Sequence, residues 1–208
     1  MSDAPARLSP LAGHVAAGLF DTPEGATPGV ELAERRPLDI VHLATPAASA
    51  RAVATAVKGA LGLVLPTVPN TGATADGVTA LWVGPERWLI VAPDRTAESL
   101  LDRLEPALAR TTAALTDQGH GRVCIRIAGP RARDVLAKAC GLDLHPRAFA
   151  IGACAQTEVA HVNGLVHLVN GAPTFDVYVA RSFGLHAWEV FADAAREYGY
   201  RVVDGSAA

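Results

Sequence analysis

The chain has 208 residues, of which 50% are apolar and 19% charged, with a formal net charge of −3 at pH 7. That length can bury a real core, either as one compact unit or as two small lobes. The near-balance of charge argues against general attraction to nucleic acid or to an anionic membrane, and no apolar run approaches the ~18 residues of a membrane-crossing helix.

The first residues, MSDAPARLSP, lack the basic-then-apolar pattern of a signal peptide. Three cysteines without close pairing read as reduced thiols, so a cytoplasmic location is expected. Residues 1–29 read as an irregular arm, because Pro5, Pro10, Pro23 and Pro28 each bias the preceding residue away from helix. Between them Leu11, Val15, Leu19 and Phe20 need a surface to lie on, either the body or a neighbouring chain. Leu11 and Phe20 are therefore candidate interface residues.

From Val30 the pattern becomes regular. VELAERR and LDIVHLA are strand-like and separated by Pro37. Thr45-Pro46 predicts a helix start with a hydroxyl cap, Val53, Val57 and Leu61 share one face, and Gly62 ends it. PTVPNTGATADG reads as a loop. TALWVG and RWLIVA form a hairpin around Gly84-Pro85-Glu86. Thr96 can cap a second helix with Leu101, Leu104 and Leu108 facing inward, and Pro106 should kink it or stop it early. TTAALTD closes a first lobe, residues 30–118, as a strand.

A turn cluster at Asp117, Gly119 and Gly121 leads into the second lobe, residues 119–208. Val123, Ile125 and Ile127 then fall on one face of a strand, and Arg122, Cys124 and Arg126 on the other. A helix over 130–139 starts at Pro130, carries an Asp134–Lys138 pair and stops at Gly141. Strands over 153–160, 163–169 and 174–180 follow, then a helix over 182–198 capped by Ser182, with Trp188, Phe191, Ala195 and Tyr198 as its apolar stripe. A strand over 200–203 ends the lobe. Each lobe reads roughly as strand–helix–strand–strand–helix–strand, an α+β class with mainly antiparallel sheets.

The run GPRARDVLAKACGLDLHPRAF followed by GACAQT, between Ile127 and Thr157, resembles the gamma subunit of heterotetrameric sarcosine oxidase. WVGPERWLIVAP and RSFGLHAWEVFADAAREYG support the resemblance over nearly the whole chain. It implies a fold similar to the folate-binding aminomethyltransferases. It also implies membership of a complex that demethylates sarcosine to glycine, forming hydrogen peroxide and 5,10-methylenetetrahydrofolate. The implied partners are alpha, beta and delta subunits, which hold NAD, FAD, FMN, zinc and the tetrahydrofolate site. The gamma subunit is implied to be a cofactor-free, non-catalytic member that serves assembly. Alternatives are the small subunit of a related N-methylglutamate dehydrogenase and a free-standing folate-binding or iron–sulfur assembly protein.

The residues show little chemistry of their own. No GxGxxG follows a strand, and CxxC and HExxH are absent. Cys140, His145 and Cys154 lack the close pairing of a zinc site. Asp117 with His120 reads as a turn rather than an acid–base pair, and His42, His161 and His167 should fill half-buried strand positions. The loop LDLHPRAFAIG supports two readings equally. In one, His145, Arg147 and Phe149 contact a partner, since aromatics and arginines anchor interfaces. In the other, Phe149 plugs the local core. Phe149, Gly152, Cys154 and Gln156 faintly resemble the motif of iron–sulfur assembly relatives, but its lysine is absent and Thr157 replaces a carboxylate. Gln156 joins the candidate interface residues, and Cys154 should be protonated and inert.

Overall fold

In the computed structural model, which describes residues 8–93 and 98–205, β1 (Gly18–Phe20) and β2 (Val30–Arg35) come first. A unit β3 (Leu38–Ala44), α1 (Ala50–Leu61), β4 (Gly72–Ala75), β5 (Val78–Gly84), β6 (Arg87–Pro93), α2 (Leu100–Leu108) and β7 (Ala114–Asp117) follows. The same order then recurs as β8 (Arg122–Ala128), α3 (Ala132–Ala139), β9 (Cys154–Val159), β10 (Val162–Asn170), β11 (Thr174–Ala180), α4 (Gly184–Ala195) and β12 (Tyr200–Val203). The duplication is real, and the three strands expected between the helices of the second unit, 153–160, 163–169 and 174–180, are present as β9, β10 and β11. The first unit has one strand more than expected, β4, whose Gly-Ala-Thr-Ala sequence carries no hydrophobic alternation.

The strands form a five-stranded sheet, β4-β5-β6-β3-β7, and a seven-stranded sheet, β1-β12-β2-β8-β11-β10-β9. All pairs are antiparallel except β2 with β12. The sheets pack face to face. One cluster joins them, with Ile40, Leu81 and Leu89 from one sheet against Cys124, Leu165 and Tyr178 from the other. The outer face of the small sheet packs on α1 and α2, through Val53, Val57, Leu100 and Leu104. The outer face of the large sheet packs on α3 and α4, through Val135, Leu136, Trp188 and Phe191.

The lobe boundary expected at residue 30 moves. Val30–Arg35 lies inside the seven-stranded sheet, between β8 and β12, and the chain crosses to the small sheet only at Pro37. Sequence pattern identifies the strand but cannot say which sheet it joins. The described part of the arm, residues 8–29, is likewise joined to the body. Leu11 is buried in the large-sheet core, and β1 pairs with β12.

Several local expectations are replaced by tertiary contacts. The Thr45 hydroxyl donates to the Thr112 carbonyl at 2.6 Å instead of capping α1. Thr96 lies outside the described residues, and Ser99 caps α2 through a capping box with Asp102. Pro106 is tolerated inside α2, which ends two residues later. Pro130 stands ahead of α3 rather than within it, and no side chain caps α4, where Ser182 lies in a preceding 3-10 turn. Asp134 pairs with Arg131 at 3.1 Å, while Lys138 reaches Glu197 of the turn after α4 at 2.6 Å. His161 sits exposed in the β9–β10 turn at φ 60°.

Candidate functional site

β8 sends its side chains to two destinations. Val123, Ile125 and Ile127 meet the helices, so Arg122, Cys124 and Arg126 turn toward the space between the sheets. Cross-strand register carries further polar groups into the same layer. Arg126 is opposite Asp176 of β11, Asp176 is opposite His167 of β10, and His167 is opposite Cys154 of β9. Arg35 enters from β2, opposite Cys124.

Asp176 is the centre of this row. Its Oδ1 accepts from Arg126 Nε at 2.8 Å, and its Oδ2 accepts from Arg126 Nη2 at 3.1 Å and from Arg35 Nη1 at 2.7 Å. The Asp176 side chain is 2% exposed and those of Arg35 and Arg126 are 15% and 19% exposed, so the group is largely shielded from water. Two guanidiniums, one of them bidentate, give the carboxylate charge-assisted hydrogen bonds on both oxygens at that depth. Burial pushes His167 down to about 4, with the two arginines adding to the effect and Asp176 opposing it. The imidazole is therefore neutral near pH 7, and its Nδ1 has no hydrogen-bond partner among the described residues.

The thiols and the phenol are held neutral in the same way. Burial pushes Cys154 up to about 12, and its Sγ donates to the Trp82 carbonyl at 3.5 Å. Burial, with Asp176 nearby, pushes Cys124 well up as well, and burial does the same to Tyr178. A thiol so displaced supplies almost no thiolate at neutral pH. The row is a structural ionic lock, in which neither His167 nor the thiols of Cys124 and Cys154 titrate near neutrality.

The sequence-derived candidates scatter over the fold. His145 and Arg147 are exposed in the loop after α3, where local bonds shape the chain. Asp143 Oδ1 accepts the His145 N–H at 2.9 Å, and His145 Nδ1 accepts the Arg147 N–H at 3.2 Å. Phe149 turns inward, 6% exposed, and its ring packs 6.4 Å from that of Phe175. The core-plug reading describes it. Gln156 is exposed, and its Nε2 donates to the Val83 carbonyl at 2.6 Å, tying β9 to the other sheet. Leu11 is buried, and Phe20 stacks on Tyr200 with ring centroids 5.1 Å apart. Asp117 Oδ1 accepts the Gly119 N–H at 2.7 Å, so the turn reading accounts for it without His120. Among the described residues no three His, Cys, Asp or Glu gather as a metal-holding group, and no helix is long and apolar enough to cross a membrane. The Arg35–Asp176–Arg126 lock was missed, although an aspartate in mid-strand between apolar neighbours, TFDVYVA, was its signal.

Residues 45–197 match the family described as sarcosine oxidase, gamma subunit. The chain belongs to that family. Sarcosine oxidase subunit gamma of Corynebacterium sp. (strain U-96) is 31% identical over 144 residues, 69% of each chain. Its counterpart from Corynebacterium sp. (strain P-1) is 31% identical over 152 residues, 73% of this chain and 70% of that one. A chain of the heterotetrameric sarcosine oxidase from Corynebacterium sp. U-96, in complex with pyrrole 2-carboxylate, superposes with a TM-score of 0.73 at 30% identity. It covers 88% of this chain and 89% of that one. Glycine cleavage system aminomethyltransferase T from Bartonella henselae superposes with a TM-score of 0.63 at 16% identity, over 85% of this chain and 48% of that one, a likeness of fold. In this member of the gamma family, the run that carried the sequence resemblance is α3, the loop of His145 and Arg147, and the start of β9.

Proposed function

We propose that this chain is the gamma subunit of a heterotetrameric sarcosine oxidase and that it serves assembly without contributing a group to the chemical step. The match to a chain of such an oxidase along most of both lengths supports the first part. The observation that carries the second is the inter-sheet row. Asp176 is neutralised by two arginines, His167 is held neutral, and Cys154 and Cys124 are buried thiols pushed far above neutrality. Nucleophilic or acid–base catalysis requires the opposite, a group poised near the working pH and within reach of substrate.

Alpha, beta and delta subunits are the partners in this reading. They hold FAD, FMN, NAD, zinc and the tetrahydrofolate site, and the assembly demethylates sarcosine to glycine. The loop of His145 and Arg147 faces a neighbour, because it presents an arginine and an imidazole outside any packed element. Co-expression of this chain with the other subunits and purification through a tag on it tests the proposal. Flavin should co-purify. The double substitution His145→Ala, Arg147→Glu should lower the recovered flavin several-fold while activity per mole of bound flavin stays at the wild-type value. A collapse of that ratio with the subunits still together would make this chain part of the chemistry.

A further inference from the structure

A cavity of about 410 Å³ lies between residues 8–10, the crossing from β2 to β3, and the β7–β8 turn. That volume falls in the range of small-molecule sites, about 300–1,000 Å³. Pro10, Pro37, Leu38 and Ile40 give it apolar walls, and its charged lining is four arginines, Arg35, Arg36, Arg122 and Arg181, against two carboxylates, Glu34 and Asp204.

The arginines differ in what balances their charge. Arg35 is matched by Asp176, and Arg36 pairs with Glu34 at 3.4 Å. Arg122 Nε instead donates to the neutral Gln118 Oε1 at 2.6 Å, and Arg181 Nη2 donates to the Leu8 carbonyl at 2.6 Å. Neither has a carboxylate within ion-pair distance among the described residues. Both are half-buried, and burial pushes Arg122 down. They also leave the sheet side by side, since Arg122 pairs with Ala180 across β8 and β11 and the Arg181 N–H donates to the Gly121 carbonyl at 2.9 Å. A half-buried guanidinium without a counter-charge has lost hydration and gained nothing ionic in return. Arg35 adds a buried Nε with no hydrogen-bond partner among the described residues.

We propose that this cavity binds a small organic anion, its carboxylate held by Arg122 and Arg181 and its flat apolar body against Pro10, Pro37 and Leu38. A planar fork suits a carboxylate, and two forks give it two-sided recognition. The neighbouring cavity of about 820 Å³ shares Arg122 and adds Arg87, which Asp117 and Glu158 offset one for one, whereas here four arginines face two carboxylates. The inference goes beyond the assembly role and does not depend on it.

Calorimetric titration of the full chain with 1-naphthoate, and with neutral 1-naphthamide, tests it. The acid should bind at least about tenfold tighter than the amide, a difference that one charge-assisted pair can supply. Arg122→Gln and Arg181→Gln should each remove that preference, with circular dichroism melts showing that both variants fold. Arg87→Gln, which alters only the neighbouring cavity, should change nothing. Equal binding of acid and amide, or no binding of either, would overturn the proposal. So would an effect of Arg87→Gln without one from Arg181→Gln. Loss of naphthoate binding when the chain sits in the assembled complex would also overturn it, by showing that a partner segment fills the cavity.

Discussion

His167 shows how one buried position ties stability to pH. In the fold it titrates near 4, against 6.5 in the unfolded chain, because burial disfavours the imidazolium and Arg35 and Arg126 repel it. Between those values the unfolded chain binds more protons, so stability is complete above about pH 6.5 and falls as pH drops toward 4. The shift corresponds to a loss on the order of 3 kcal/mol. His167→Leu should remove this part of the slope, so that the wild-type urea midpoint falls relative to that of the variant as pH drops from 7 to 4. Parallel slopes would mean that the imidazole is hydrated in the fold. Asp176 is placed opposite His167 in the register, yet its charge is committed to the two arginines and leaves the imidazole neutral. The sequence put His167 in a strand and half-buried. Its depth and its cationic neighbours were illegible, since Arg35 is 132 residues away in the chain and arrives through strand pairing alone.

At the scale of elements, legibility followed hydrophobic contrast. β8 was plain because valine and isoleucine alternate with arginine and cysteine, and the β5–β6 hairpin because two apolar runs flank Gly84-Pro85-Glu86. β4 was hidden because its residues are small and only its neighbours make it a strand. The lock of Arg35, Arg126 and Asp176 was hidden for the same reason as the placement of β2, because both are decided by which strands pair. Caps failed where a distant carbonyl competed, as at Thr45. Helix α2 was read with its proline, and there the energetics can be weighed. Pro106 sits at the seventh of nine helical positions, exposed, with buried Leu104 and Leu108 on either side. It withholds one backbone hydrogen bond and crowds the preceding turn, a cost of about 3 kcal/mol in an ideal interior. It also stiffens the unfolded chain, which returns about 0.4–1 kcal/mol. The first effect is larger, so Pro106→Ala should stabilise the protein by about 2 kcal/mol, read as a higher urea midpoint with unchanged slope. A lower midpoint would show that α2 is adapted to its proline and that the alanine chain gains no hydrogen bond there.

For the molecule as a whole, β2 decides whether the two sheets are separate lobes. It precedes the first repeated unit in the chain, yet it fills the gap between β8 and β12 in the sheet of the second. Without it the seven-stranded sheet would be split beside β8. The sheets are also joined directly, by the Gly72 N–H donating to the Gly152 carbonyl at 2.7 Å and the Cys154 N–H to the Asn70 carbonyl at 2.9 Å. Between them lies an apolar layer that includes Ile40, Leu81, Leu89, Leu165 and Tyr178, each at most 2% exposed. Burying five such side chains contributes about 1.5–3 kcal/mol apiece, comparable with the whole stability of a domain, so neither sheet can stay folded with this face in water. The chain should therefore unfold as one cooperative unit despite its internal duplication. Its three tryptophans can report this, because Trp82 and Trp88 lie on β5 and β6 and Trp188 lies on α4, behind the other sheet. A Trp188→Phe variant follows the small sheet by fluorescence, and a Trp82→Phe, Trp88→Phe variant follows the large one. In each, the fluorescence midpoint in urea should coincide with the far-ultraviolet circular dichroism midpoint of the same sample. Comparison within one sample removes the stability change that each substitution introduces. A fluorescence transition displaced from the circular dichroism transition in either variant would mean that the sheets melt separately, and the single-unit reading would fall.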